Sequence, residues 1–317
     1  MELVDKLLRG DKVSLSRIIS KIENNDSSSN KILRSIFPQI GKAHHIGVTG
    51  PPGVGKSTLV SKITNKILDR NQKVGIIAVD PTSPFSGGAL LGDRVRMAEL
   101  STREGVFIRS MATRGSMGGL AKTTKDVLFL FDAFGMDFVI TETIGVGQVE
   151  LDVANACDTK VVVLVPESGD SIQAMKAGLL EIADIIVVNK ADREGADRLM
   201  MELEFTSKLR KNKDGWHYPI LETEATADKG VAELVTTILE HKKWLEITGN
   251  LEIQRKKRIK ARLEELIEER IKEHLRRKIF KETNLDVVID KIYNKELNLF
   301  EVAGEIANKM KGRQNNK

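Results

Sequence analysis

Nine consecutive residues, Gly50, Pro51, Pro52, Gly53, Val54, Gly55, Lys56, Ser57 and Thr58, follow the spacing G-x-x-x-x-G-K-S/T. That spacing is suited to holding a chain of phosphates. The glycines let successive backbone N–H groups turn inward around anionic oxygens, and a following helix adds the positive end of its dipole. Lys56 would reach the β- and γ-phosphates, and the Ser57 hydroxyl would ligate Mg²⁺. Well downstream, "VVNKAD" ends another apolar run with Asn189, Lys190 and Asp192. A carboxylate at Asp192 can accept from both N1–H and the 2-amino group of guanine. Adenine offers an acceptor at N1 and has no amine, so the same carboxylate would be left unpaired against it. Asn189 would tie the loop together and the Lys190 stem would cover the base plane. The nucleotide implied is GTP.

The metal side of such a site is expected at "TETIGVGQ", Thr141–Gln148, where the apolar run "FVI" opens into a Gly-rich turn. Nucleotide hydrolases usually carry aspartate there; this chain has Glu142, one methylene longer, able to reach a Mg²⁺-bound water from a more distant backbone. Gly145 and Gly147 would free the following loop. Asp80 ends a further apolar run inside "VDPTSPFSGGALLGDRVRM" (Val79–Met97), where a carboxylate would face phosphates and metal. The expected metal set is therefore Ser57, with Asp80 and Glu142 acting through waters. Lys56 would stabilise charge on the transferred phosphoryl group. Asp80, Asp93 and Gln148 are candidates for positioning the attacking water, and the sequence does not choose among them. A last base contact is expected in "ILETEATADKG" at Glu224, Ala225 and Thr226, with the Ala225 backbone N–H offered to guanine O6. A third Gly-rich stretch, "MATRGSMGGLA", has Arg109 and Arg114 nearby, each as suited to solvent as to a phosphate or a partner.

These loops need strands to hold them. The runs Ile46–Val48, Val74–Val79, Phe138–Ile140, Val161–Val165 and Ile185–Val188 are nearly continuously apolar, as strands buried on both faces of a parallel sheet are. Amphipathic segments alternate with them, including Leu59, Val60, Ile63 and Ile67 directly after the phosphate loop. The fold class predicted is α/β: a three-layer P-loop GTPase domain with a mostly parallel sheet, N-terminal helices before it and a C-terminal helical arm after it. The N-terminal region carries helically spaced Leu3, Leu7, Leu8, Leu15, Ile18, Ile19 and Ile22, broken near Gly10-Asp11. After Gly249 the strand signal stops. Ile259, Leu263, Leu266, Ile267, Ile271, Leu275 and Ile279 then form an apolar stripe, and Leu299, Ala303, Ile306 and Met310 form a second. The division expected is 1–36 N-terminal helical region, 37–249 GTPase domain and 250–317 arm.

Composition excludes several classes. The 317 residues are 41% hydrophobic, enough for a packed core, but the longest apolar runs are strand-sized. The charged start, "MELVDKLLRGDK", lacks a signal-peptide apolar core. One cysteine, Cys157, rules out an internal disulfide framework and a thiolate metal cluster. A cytoplasmic protein without membrane association is expected. The net charge of +5 is concentrated in residues 251–280, which hold eleven Lys/Arg against six Glu. Few aromatic residues accompany that segment, so a solvated helix face is favoured over nucleic-acid binding.

Taken together, "GPPGVGKST", "VDPTSPFSGGALLGDRVRM", "ATRGSMGGLA", "ETIGVGQVE" and "GDSIQAMKAGLLEIADIIVVNKAD", with the charged helical C-terminus, resemble the MeaB/ArgK family. These are bacterial relatives of the methylmalonic aciduria type A protein. The resemblance runs from about residue 5 to 310. It implies a G domain of the broad class of signal-recognition-particle and nickel-chaperone GTPases, binding GTP or GDP with Mg²⁺, and an arm used to form a homodimer. It implies a GTP-driven chaperone of an adenosylcobalamin-dependent acyl-CoA mutase, typically methylmalonyl-CoA mutase, gating cofactor loading and protecting the mutase. Glu224 departs from the small residue that is commoner at its position. Two other readings stay open. One is a nickel metallochaperone GTPase, for which His44-His45 is the sole His/Cys pairing. The other is an ATPase or kinase linked to amino-acid transport, a label some family members have carried.

Overall fold

The apolar runs pair edge to edge into one sheet. A computed structural model of the chain describes residues 2–80, 97–112, 122–143, 156–166, 178–209, 215–282 and 285–311. Its seven strands are β1 His44–Thr49, β2 Val74–Asp80, β3 Val106–Ala112, β4 Phe138–Thr143, β5 Thr159–Leu164, β6 Ile185–Asn189 and β7 Ile220–Thr223. They lie in the order β3-β2-β4-β1-β5-β6-β7, and every neighbouring pair is parallel. Parallel neighbours need crossovers, and helices supply them on both faces. β1 sits between β4 and β5, where the order of strands reverses. In open α/β sheets the crevice at the carboxyl end of such a strand is where ligands bind.

Alternation along each strand divides the core. Ile46, Val48, Ile76, Ile140, Val161, Val163 and Val187 face one way, onto α4 (Lys56–Leu68) and α9 (Val231–Ile247). Ile77, Val79 and Val139 face the other way onto α6 (Lys122–Phe134) and the N-terminal helices α1 (Glu2–Leu8), α2 (Lys12–Glu23) and α3 (Ser29–Ile36). Val162, Leu164, Ile186 and Val188 continue that second face under α7 (Leu179–Ile182) and α8 (Ala196–Leu209). A short helix, α5 (Ala98–Ser101), precedes β3. The predicted break near Gly10-Asp11 is the start of α2: Asp11 caps it, its carboxylate accepting from the Ser14 N–H at 2.9 Å.

A buried polar cluster closes the sheet at the N-terminal ends of β1 and β5. His44 Nε2 lies 2.7 Å from Thr159 Oγ1, which lies 2.8 Å from His241 Nδ1 on α9. His241 stacks on Trp244 and touches Trp216, whose indole N–H donates to the Asp184 carbonyl. Burial pushes both histidines down to about 3, and the Asp158 carboxylate only partly opposes this. Both rings are neutral at pH 7. His44 therefore packs at the end of β1 remote from the phosphate loop, with its ring nitrogens committed to Thr159 and to the neighbourhood of Asp158. Among the described residues no group of three His, Cys, Asp or Glu side chains is placed to hold a metal.

The chain divides into two compact units, residues 1–254 and 255–317, and the division falls inside α10 (Asn250–Glu282). The second unit is helical, with α11 (Leu285–Tyr293) and α12 (Leu299–Lys311) following α10. None of its described side chains is buried. Ile259, Leu263, Ile267 and Ile271 on α10 are 48–58% exposed. No described helix is long and apolar enough to cross a membrane.

Candidate functional site

The phosphate loop joins β1 to α4 at the switch point. Gly50 has φ 145°, and a Cβ there would collide with the Val163 carbonyl of β5, so glycine is required. Gly55, at φ 93°, immediately precedes α4, and a Cβ on it would sit 2.5 Å from Asn189 Nδ2. Lys56 opens the helix, 6% exposed, its ammonium donating to the carbonyls of Gly50 and Pro51 at 2.7 and 2.8 Å. The expected phosphate lysine is thus drawn over its own loop. Ser57 follows, also buried.

Register delivers Glu142, the acid expected on the metal side, to the same place. β4 lies beside β1 with Glu142 level with Val48, two residues before the loop begins. Glu142 is 5% exposed, and its Oε1 accepts from the Ser57 hydroxyl at 2.6 Å. One strand further out, β2 ends at Asp80, one residue past the Val79–Thr143 pair. Its backbone therefore comes to the same sheet edge as Glu142; its side chain lies outside the described residues. A cavity of about 330 Å³ is bounded by Gly53, Lys56, Ser57, Thr58, Glu142 and Lys190, among others. Thr143 Oγ1 donates to Thr49 Oγ1 at 2.9 Å and fastens β4 to β1 beneath the loop. Asp93, Arg114 and Gln148 lie outside the described residues. Arg109 is described, and it belongs to the packing: it pairs with Glu23 of α2 and donates to Ser20, fastening β3 to the N-terminal helices.

The base end is organised by one amide. Asn189 is 2% exposed at the end of β6. Its Nδ2 donates to the Val54 carbonyl at 2.8 Å, while its Oδ1 accepts from Thr223 Oγ1 at 3.0 Å and from the Ala225 N–H at 3.1 Å. The phosphate loop, β7 and the last loop are thereby joined through a single side chain. Lys190 follows at φ 58°, and its ammonium donates to the Gly53 carbonyl at 2.9 Å, so its stem crosses the gap between loops. Asp192 is exposed. In the last loop the Ala225 N–H expected to meet guanine is engaged by Asn189, and Thr226, exposed, is the next residue along the turn. Glu224 turns its carboxylate to Lys229, with both oxygens 3.0 Å from the ammonium, so the departure from a small residue is absorbed within the loop. The motif spacing did not point to Thr223 or Thr49; both act through tertiary partners that the linear sequence does not mark.

Comparisons with known proteins identify the family of the chain. The family model described as "Methylmalonyl Co-A mutase-associated GTPase MeaB" matches residues 15–279. A putative GTPase of Pyrococcus horikoshii, PH0274, is 46% identical, with 98% of each chain covered. GTPase ArgK of Escherichia coli is 34% identical over 79% of this chain and 78% of its own. The mouse methylmalonic aciduria type A homolog, mitochondrial, is 31% identical over 78% of this chain and 64% of its own. Among solved structures, one described as LAO/AO transport system kinase superposes with a TM-score of 0.71 at 25% identity, covering 98% of this chain and 97% of that one. The chain is a member of the MeaB family of GTPases.

Proposed function

We propose that this GTPase is a Mg²⁺-dependent chaperone of an adenosylcobalamin-dependent acyl-CoA mutase, namely methylmalonyl-CoA mutase, gating cofactor loading and protecting the mutase. The observation that carries the nucleotide reading is the three-way tie at Asn189, which makes the phosphate loop and the base loops one preorganised unit. Asp192 would accept from N1–H and the 2-amino group of guanine, and the Thr226 N–H would donate to O6. The partner is carried by the family description and by the relatedness to the methylmalonic aciduria type A homolog.

The Ser57 hydroxyl and the Glu142 carboxylate are hard oxygen donors, buried together beside the cavity, and this donor set fits Mg²⁺. Ser57 would hold the ion directly, with Glu142 and Asp80 acting through waters; when bound, the ion neutralises charge on the phosphate oxygens. Glu142 would first release the Ser57 hydroxyl. Lys56 would exchange the Gly50 and Pro51 carbonyls for phosphate oxygens and stabilise charge on the transferred group. Asp80, Asp93 or Gln148 would position the attacking water. Gln148 follows the glycines Gly145 and Gly147 in sequence, so partner binding is a natural way to bring it into line.

Turnover is therefore expected to be slow alone and to rise at least about tenfold with the mutase, a change of about 1.4 kcal/mol in the barrier. Steady-state phosphate release with and without methylmalonyl-CoA mutase measures this. An equal rate would refute gating by the partner, and hydrolysis of ATP as fast as GTP would refute the guanine reading. We propose further that residues 250–317 act as a dimerisation arm through their exposed apolar stripe.

A further inference from the structure

The last base loop is braced from a direction that the motifs do not include. Residues 224–229 form a closed turn: the Glu224 N–H donates to the Lys229 carbonyl at 3.2 Å, and the Lys229 N–H to the Glu224 carbonyl at 3.3 Å. Ala225–Ala227 make a short 3-10 turn, and Asp228 follows in the left-handed region at φ 58°. Asparagine and aspartate tolerate that conformation better than other side chains carrying a Cβ. The Asp228 carboxylate points out of the turn onto α4, where Oδ2 lies 2.7 Å from Lys66 Nζ. Its Oδ1 is buried and has no hydrogen-bond partner among the described residues. Lys66 and Asp228 are 33% and 38% exposed, so solvent screens the pair in part and its loss is expected to have a modest effect.

α4 is the helix that starts with Lys56 and Ser57. The same helix thus carries the phosphate end of the site at its first turn and grips the base loop nearly three turns later. Asn189 links these loops from above, through Val54 and Ala225. The Lys66–Asp228 pair links α4 itself to the last base loop.

We propose that Lys66, acting through Asp228, is a positioning residue for guanine: it fixes the 224–229 turn so that the backbone N–H after Ala225 is held where the base carbonyl must sit. This deepens, and rests on, the reading of the site as guanine-binding. The pair touches no phosphate and no reacting atom. Its loss acts on base recognition and leaves the phosphate half intact.

The test uses the full chain and three nucleotides. GDP and IDP both carry the O6 carbonyl, only GDP carries the 2-amino group, and ADP carries neither. Lys66→Met and Asp228→Asn are each expected to weaken GDP and IDP in parallel by about fivefold. ADP affinity, and kcat at saturating GTP, should stay unchanged. Asp228→Asn keeps the residue type suited to φ 58°, so its effect reports the ion pair and not the backbone. Lys66→Arg keeps the charge and should restore wild-type affinity. Wild-type discrimination of GDP from ADP, with both variants binding GDP as the wild type does, would overturn the brace while leaving the guanine reading standing. A wild-type chain that fails to discriminate GDP from ADP would overturn the guanine reading, and the brace with it. Equal weakening of all three nucleotides would also refute the proposal, because it would reveal a general loss of the fold.

Discussion

Asn189 and Asp192 stand three residues apart and contribute differently. Asn189 is buried and its amide makes three hydrogen bonds inside the protein, which makes it a structural knot between loops. Asp192 is exposed at the end of the same motif, as a group kept for a ligand should be. The distinction has a consequence for Asp192→Asn. The new amide keeps an oxygen for N1–H but sets a donor against the 2-amino group of guanine. Xanthine has a carbonyl at that carbon, which the amide can satisfy. GDP is expected to bind about a hundredfold more weakly, roughly 2.7 kcal/mol, and XDP more tightly than to the wild type. Competition against a fluorescent guanine nucleotide measures both, and unchanged GDP affinity would remove Asp192 from the base site. The role of Asn189 in tying the loops together was legible from motif spacing alone. Lys66 and Asp228 were not, because they are 162 positions apart and meet only when α4 packs beside the last loop.

The five strands read from continuous apolar runs are the five central ones, buried on both faces. The two edge strands explain what the pattern left unread. β3 carries Arg109 and Ser110 in its middle, and β7 is half-buried at Ile220 and Leu221, exposed at Glu222 and buried only at Thr223. An edge strand is covered on fewer sides, so its sequence is free to be polar. α11 was likewise missed, because its "LDVVIDKIY" is short and nothing in it is buried. The His44–Thr159–His241 relay ties β1, β5 and α9 and carries a pH signature. The folded-state values near 3 lie below the ordinary 6.5, so below about pH 6.5 the unfolded chain binds more protons than the folded one. Stability is fully present above that pH and is lost as pH falls toward 3. The slope is at most about 1.4 kcal/mol per pH unit for each histidine. His241→Gln keeps a side chain that can bond Thr159 but cannot titrate. Urea midpoints at pH 7.5, 6 and 5 should fall less steeply for this variant than for the wild type, and parallel curves would dissociate His241 from acid instability.

The two compact units differ in what they bury. The first buries its apolar side chains in three clusters around the sheet. The second leaves Ile259, Leu263, Ile267 and Ile271 about half-exposed along one helix and buries none of its described side chains. A patch of that size on a helix rich in Lys, Arg and Glu is unusual for a surface that faces only water. On the proposal that this segment is a dimerisation arm, a second copy of the same stripe would supply cover of the right kind. Replacing Leu263 and Ile267 together with glutamate places two charges in the centre of that contact. Light scattering of the full chain should give twice 35.2 kDa for the wild type and one chain mass for the double variant. GDP affinity should not change, because the phosphate loop, Glu142, Asn189 and Asp192 all lie in residues 1–254. A double variant that keeps the dimer mass would move the interface off the stripe. A wild-type chain that is monomeric at micromolar concentration would leave the stripe for a different protein, and the mutase would be the first to try.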